Sequence, residues 1–367
     1  MISNIKKLIV KYNDKIVGYL VELENSSIAF QYDNEWLVDG FSISPFSLPL
    51  RNDIFINQKT TFNGLHGVFQ DSLPDGWGEL LFRRMTMQKG INPDKLSVLT
   101  RLSLISGNGL GALTYEPYQN EYVDEPIFDL DVVANETKQI LNDEGANIDL
   151  DSLFQLGGSS GGARPKIHIK DADGYWIVKF PSQYDPENIG EKEYEANFLA
   201  KQCGINVNEF KLFPSKLCGG YFGAKRFDKT EEKRIHMISL SSLLETAHYI
   251  PCLDYINLFQ VIQNICMNSK DMLEAYTRMC FNVLYKNKDD HGKNFAFLYD
   301  ELLGRYKLSP AYDLTRTTNK SEHEMSVNGV GTPTEKDLLD VAAIVKLSIT
   351  NCREIIEKIK LNLSLIR

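Results

Sequence analysis

The eleven residues Asn287–Phe297, NKDDHGKNFAF, constrain this chain more than any other stretch. Two carboxylates, a histidine, a lysine and an asparagine crowd together, and an apolar run follows at once. Upstream, Leu273, Tyr276, Met279, Cys280, Val283 and Leu284 recur at helical spacing and predict a buried helix feeding into the cluster. Downstream, FAFLYDELLGRYKLSPAYD reads as a hairpin, with strands at 295–299 and 305–309 and a turn near Asp300–Gly304. A hairpin returns the chain to its starting end. Asp313 is therefore expected near Asn294.

Asp289 and Asn294, five apart, suit phosphoryl transfer. That reaction needs a carboxylate to take the proton of an attacking hydroxyl, and a nearby oxygen ligand for Mg²⁺. Asn294 and Asp313 would share the metal through hard oxygen atoms. The protein-kinase catalytic loop has the same Asp-to-Asn separation. Taken alone, an Asp…Asn pair is also what a solvated polar loop carries. Asp290 ranks below Asp289 as base because only Asp289 has that spacing. His291 lacks a second histidine at metal spacing and reads as a hydrogen-bonding support of the loop. Lys293 is a candidate for stabilising charge on the transferred group, or a surface lysine.

The phosphate end of a nucleotide needs cations and main-chain N–H groups. LGGSSGGARPK, residues 156–166, combines four glycines, two serines, Arg164 and Lys166 ahead of a strand. It lacks the G-x-x-x-x-G-K-[ST] pattern, and its composition is also that of a linker. Two strands follow, KIHIK and YWIVKF, joined at Asp173-Gly174. Lys179 sits among Trp176, Ile177, Val178 and Phe180, which calls for an anion partner or a path to solvent. Glu193 or Glu195, on the next helix, would pair with it.

The first block, to about residue 115, is β-rich, with a hairpin turning at Asn13-Asp14. SLPDGWGELLFRRM then switches to helical period, and Trp77 reads as a packing anchor. Acidic helical material from Asp129 to Gly145 links this block to the next, with Gly145 as its C-cap. The last helix shows an Asn351…Glu354 capping pattern. The net charge of −9 argues against direct nucleic-acid binding by the chain as a whole. No run of eighteen apolar residues exists, so no membrane span is expected. Cysteines 203, 218, 252, 266, 280 and 352 form no CxxC motif, as expected of core thiols in a reducing cytoplasm.

In order along the chain, SPFSLPL, SLPDGW, SSGGARPK, IVKFPS, EKEYEANFLA, AKRFD, DDHGKNF and SPAYDL resemble the HipA family of serine/threonine kinases, toxins of type II toxin–antitoxin modules. The resemblance implies an α+β, protein-kinase-like two-lobe fold, with a small mixed β-sheet lobe, a helical C-terminal lobe and an added N-terminal β-rich domain. The expected domains are 1–118, 119–228 and 229–367. It implies ATP and Mg²⁺ as cofactors, Asp289 as base, and Asn294 and Asp313 as metal ligands. Lys179 would hold ATP phosphates and pair with Glu193. Ser160, Gly161, Gly162, Ala163, Arg164 and Lys166 would form the phosphate loop, and Lys225 and Phe227 the adenine segment, partly through backbone groups. Ser159, or Ser160, would be autophosphorylated, and a phosphate there would repel those of ATP. It also implies a small helix-turn-helix antitoxin of the HipB type, contacting operator DNA, and an aminoacyl-tRNA synthetase as substrate, glutamyl-tRNA synthetase first. The chain departs from the pattern in its short C-terminal lobe and in Lys225 at an often acidic hinge position.

Three other readings compete: a small-molecule kinase of the aminoglycoside or choline kinase type, a catalytically vestigial co-repressor, and, more distantly, a metal-dependent phosphohydrolase. The first would not be expected to carry the N-terminal block or a phosphorylatable glycine loop.

Overall fold

The structure is a computed structural model that describes residues 2–59, 61–105, 109–119, 129–143, 148–158 and 161–365. It is a mixed α+β protein with antiparallel sheets, and its contacts divide it into two compact units. One holds residues 1–191 with 210–238; the other holds 192–209 with 239–367.

The first unit opens with β1 (Lys7–Tyr12), β2 (Lys15–Glu22), β3 (Ile28–Tyr32), β4 (Phe55–Ile56) and, after a helical stretch, β5 (Leu113–Glu116). They form one sheet in the order β4-β3-β2-β1-β5. The β1–β2 turn falls at Asn13 and Asp14, both at positive φ, the backbone that tight hairpins require. A second sheet, β6 (Lys166–Asp171), β7 (Gly174–Lys179), β8 (Phe210–Phe213) and β9 (Tyr221–Lys225), has the order β6-β7-β9-β8, all pairs antiparallel.

Three helices cover this sheet's neighbourhood: α1 (Gly76–Gln88), α2 (Leu130–Leu141) and α3 (Leu150–Gly157). Trp77, Leu81, Phe82 and Met85 of α1 share one core with Leu153 and Phe154 of α3 and with Ile167, Trp176 and Val178 of the sheet. Trp77 is the packing anchor its sequence setting suggests, 1% exposed. Each such side chain contributes about 1.5–3 kcal/mol when taken from water, so this core joins the β-rich block to the second sheet. Helix α2 ends at Leu141 with Asn142 at its C-cap, not at Gly145, which lies outside the described residues.

The chain passes between the units within α4 (Ile189–Cys203), at residues 209–210, and within β10 (Met237–Ser239). The second unit is mostly helical: α5 (Tyr255–Val261), α6 (Ser269–Tyr285), α7 (Glu335–Ile344) and α8 (Ile349–Ser364). Between α6 and α7 lies the hairpin β11 (Ala296–Asp300) and β12 (Arg305–Leu308), paired Phe297↔Leu308 through Asp300↔Arg305. Helix α8 is capped by Ser348, whose hydroxyl accepts from Asn351 N, so Asn351 is a first-turn residue and not the cap. No helix among the described residues is long and apolar enough to cross a membrane.

Candidate functional site

In the second unit the chain leaves α6 through Lys286, a left-handed C-cap, into the polar loop. Asp290 is 1% exposed and accepts from Tyr255 Oη at 2.7 Å, from Glu324 N at 3.0 Å, and lies 2.8 Å from His323 Nδ1. A buried carboxylate needs this many partners. Asp290 is therefore the anchor of the loop, and Asp289 is the carboxylate that stays partly exposed.

Asn294 donates from Nδ2 to the main-chain oxygen of Asp289 at 2.7 Å. That bond fixes the amide and leaves its side-chain oxygen for another partner. The hairpin then brings Asp313 back. Tyr312 Oη donates to Lys293 O at 2.5 Å, tying the segment before Asp313 to the loop that ends in Asn294. Ser309 O accepts from Arg278 Nη2 at 2.6 Å, and Ala311 N donates to Asn206 O at 2.8 Å, so the return strand is held from two sides. Asp313 has φ +56. A non-glycine residue there costs about 1–3 kcal/mol, and such strain gathers at functional sites.

His291 supports the loop through its carbonyl, which accepts from Asn294 N at 2.9 Å, and by heading the turn Gly292–Asn294. Its ring lies 5.5 Å from that of His248, a neighbour that sequence spacing did not reveal. Among the described residues no three His, Cys, Asp or Glu side chains are placed to hold a metal. Mg²⁺ bound with a nucleotide would need only one or two protein oxygens and take the rest from phosphates and water. Asn294 and Asp313 fit that donor set.

Sequence reading missed Lys320. Its ammonium bridges Asp289 Oδ1 and Glu324 Oε1. Burial pulls the Lys320 pKa down, but the bonds to Asp289 and Glu324 outweigh it and hold it above the ordinary lysine value. Lys288 donates to the carbonyls of Lys320 and Ser321, so the whole segment lies against the loop. Only the fold could show this pairing, because the sequence between is irregular.

In the first unit, Lys166 and Lys179 are direct cross-strand partners on β6 and β7. Like charges at directly opposed positions are destabilising unless each ammonium has partners of its own. Lys166 Nζ donates to Gly161 O, at the described end of the glycine-rich loop. Arg164 is engaged elsewhere: Nε and Nη2 donate to the Asp185 carboxylate at 3.0 and 3.1 Å. Burial would raise the Asp185 pKa, yet hydrogen bonds from Ser182 and Arg164 hold it below the usual range. Gly162 and Ala163 are exposed. Ser159 and Ser160 lie outside the described residues.

Lys225 pairs with Trp176 across β7 and β9, and its ammonium lies over that indole at 5.9 Å from the ring centre. Its side chain thus takes the opposite face of the sheet from Lys179. Phe227 is half-buried. Glu193 is 2% exposed on α4, with its carbonyl accepting from Asn197 Nδ2.

A glycine-rich loop above paired strand lysines in one unit, and an Asp-x₄-Asn loop followed by a hairpin-borne aspartate in the other, make this a kinase-like protein. Family models place it more narrowly: the HipA N-terminal domain matches residues 8–116 and the HipA-like C-terminal domain matches 158–364. The chain belongs to the HipA family of kinases. It is 24% identical over 346 residues to the putative kinase Y4mE of Sinorhizobium fredii, covering 85% of this chain and 78% of that protein. It also matches the fold of Shewanella oneidensis HipA, solved with HipB and operator DNA. The TM-score is 0.71 at 18% identity, over 96% of this chain and 88% of that one.

Proposed function

We propose that the protein is an ATP- and Mg²⁺-dependent serine/threonine protein kinase acting as a growth-inhibiting toxin. The reading rests most on one observation: the loop carrying Asp289 and Asn294, closed on itself by Asn294 Nδ2 to Asp289 O, is bonded to the segment carrying Asp313 by Tyr312 Oη to Lys293 O. Asp289 takes the proton of the acceptor hydroxyl. The hydroxyl oxygen bonds to the γ-phosphorus, the bond from that phosphorus to the β–γ bridging oxygen breaks, and ADP leaves with the electron pair. Mg²⁺, held by Asn294 and Asp313, would neutralise charge on the phosphate oxygens. Lys179 and Lys166 hold the phosphates, with Gly161, Gly162, Ala163 and Arg164 as the loop above them. Lys293 is a further cation for the transferred group, and Lys225 and Phe227 line the adenine by main chain and ring.

The partner that best suits this reading is a small helix-turn-helix antitoxin like the HipB in the Shewanella complex, through which operator DNA would be contacted. The proposed substrate is an aminoacyl-tRNA synthetase, glutamyl-tRNA synthetase first, with self-inhibition by phosphorylation at Ser159 or Ser160. The test is incubation of the purified chain with γ-labelled ATP and Mg²⁺, with and without candidate synthetases, followed by phosphopeptide mapping. Label on protein hydroxyls, lost in Asp289→Asn, is the expected result. Label on small molecules only would favour the aminoglycoside or choline kinase type, and no turnover at all would favour a co-repressor without catalysis.

A further inference from the structure

The motif SLPDGWG in the N-terminal block has no role in the chemistry above, yet it lies against the glycine-rich loop. Asp75 is the N-cap residue of α1, but its side chain makes no capping hydrogen bond. It accepts instead from Gly162 N at 2.5 Å. In return Gly162 O accepts from Trp77 N at 2.9 Å, capping α1 from the loop. This is the reciprocal logic of a capping box, with the third helical residue replaced by a glycine of a distant loop. Both main-chain groups of Gly162 are thereby held.

Two glycines make the approach possible. A Cβ on Gly76 would stand 2.3 Å from Gly162 O, and Gly76 has φ +46, where a side chain is strained in any case. A Cβ on Gly78 would stand 2.4 Å from Gly158 O. The turn therefore grips the loop at two places, 158 and 162, while Lys166 holds Gly161 O from the sheet side.

We infer that the Leu73–Gly78 turn is the seat of the phosphate loop, and that Asp75 is a positioning residue for nucleotide binding. The inference rests on the reading of residues 161–166 as the phosphate-binding segment. A loop already held in place gives up less freedom when phosphates arrive, so affinity is gained without a contact to the nucleotide. The N-terminal block thus sets how tightly the kinase holds ATP.

The experiment uses the full chain and compares Asp75→Ala, Asp75→Asn and wild type. Hydrogen exchange without nucleotide reads the seat, and ATP titration with steady-state phosphotransfer reads its effect. Asp75→Ala should speed exchange in the peptide covering 161–166 while leaving that of α6 unchanged. It should weaken ATP binding by about five- to tenfold and leave kcat at saturating ATP within about twofold, as expected for a change in ground-state binding. Asp75→Asn keeps an acceptor oxygen in place and should recover most of the affinity. Unchanged ATP affinity in Asp75→Ala overturns the inference, as does tighter binding, which would make Asp75 a competitor of the phosphates. Faster exchange throughout the unit, without rescue by Asn, overturns it too, because the residue would then be merely structural. If wild type binds no ATP, the kinase reading itself fails, whereas the exchange comparison still decides whether Asp75 seats the loop.

Discussion

The glycine-rich loop of the first unit and the polar loop of the second are held by opposite means. The glycine-rich loop of the first unit is gripped through its main chain, by Asp75, Trp77 N and the close approach of Gly76 and Gly78. The polar loop of the second unit is gripped through buried side chains, with Asp290 collecting Tyr255, His323 and Glu324 N, and Asn282 and Asn287 bonded beneath it. A main-chain seat tolerates a change of charge but not a Cβ. A side-chain seat tolerates volume changes nearby but not the loss of its central acceptor. Substitutions chosen by that contrast should separate the two units.

The largest effect should come from Asp290→Ala. It strands a buried tyrosine hydroxyl, a histidine and a main-chain N–H at once. Removing one centre of such a buried network costs about 3–5 kcal/mol. Urea unfolding should show that loss, and hydrogen exchange should place it in the second unit. A cost under about 1 kcal/mol would mean that the loop is held by its backbone after all.

Acid should act on the first unit. His236 is fully buried there, its Nε2 2.8 Å from Ile43 O, and burial pushes its pKa down to about 4. The folded value lies below the unfolded one of about 6.5, so the unfolded chain binds the proton first. Stability from this residue is complete above pH 6.5, falls as pH drops from there to 4, and is level below that. A displacement of this size is worth roughly 3 kcal/mol. Stability measured across pH 7 to 4, with His236→Gln as the flat control, checks it.

Smaller again is Gly78→Ala. Its new methyl group would meet Gly158 O at 2.4 Å, a main-chain atom that cannot swing aside. Overpacking of this kind costs about 1–3 kcal/mol. The same change at Gly304, with nothing within 4 Å but φ +61, should cost only the backbone term of about 1 kcal/mol. Equal costs at the two glycines would remove the argument for a close main-chain seat.

These contrasts also explain what could be read in advance. The polar loop and the β11–β12 hairpin that follows it were legible because turns and strand periods are local events, fixed by neighbouring residues. The β6–β7 hairpin was legible for the same reason, with Gly174 at φ +119 where Asp173-Gly174 marks the turn. The seat of the glycine-rich loop was not, because Gly162 and Asp75 stand 87 residues apart and SLPDGW taken alone is an ordinary turn before a helix. The Arg164–Asp185 pair was not legible either, because the two stand 21 residues apart and charge alone does not choose a partner. Asn351 was mistaken for a cap because Ser348, three residues earlier, has the same capping chemistry.

The finest distinction concerns Lys320, 31 residues from the carboxylate it holds. Its ammonium takes Asp289 Oδ1, and Glu324 fixes the ammonium in turn; under the proposed function Oδ2 would be the atom that faces the acceptor hydroxyl. Lys320→Met should leave ATP affinity within about twofold, since the cations proposed for the phosphates, Lys166 and Lys179, belong to other elements. The rate at saturating ATP should fall about tenfold, or 1.4 kcal/mol of barrier, the size of one misplaced catalytic contact. Lys320→Arg, which keeps the charge and the donors, should recover most of that rate. In an Asp289→Asn background the Lys320→Met change should cost nothing more, because residues that act as a unit are not additive. A full tenfold loss in that background would show that Lys320 acts without the base, and would make it a direct contact of the transferred group.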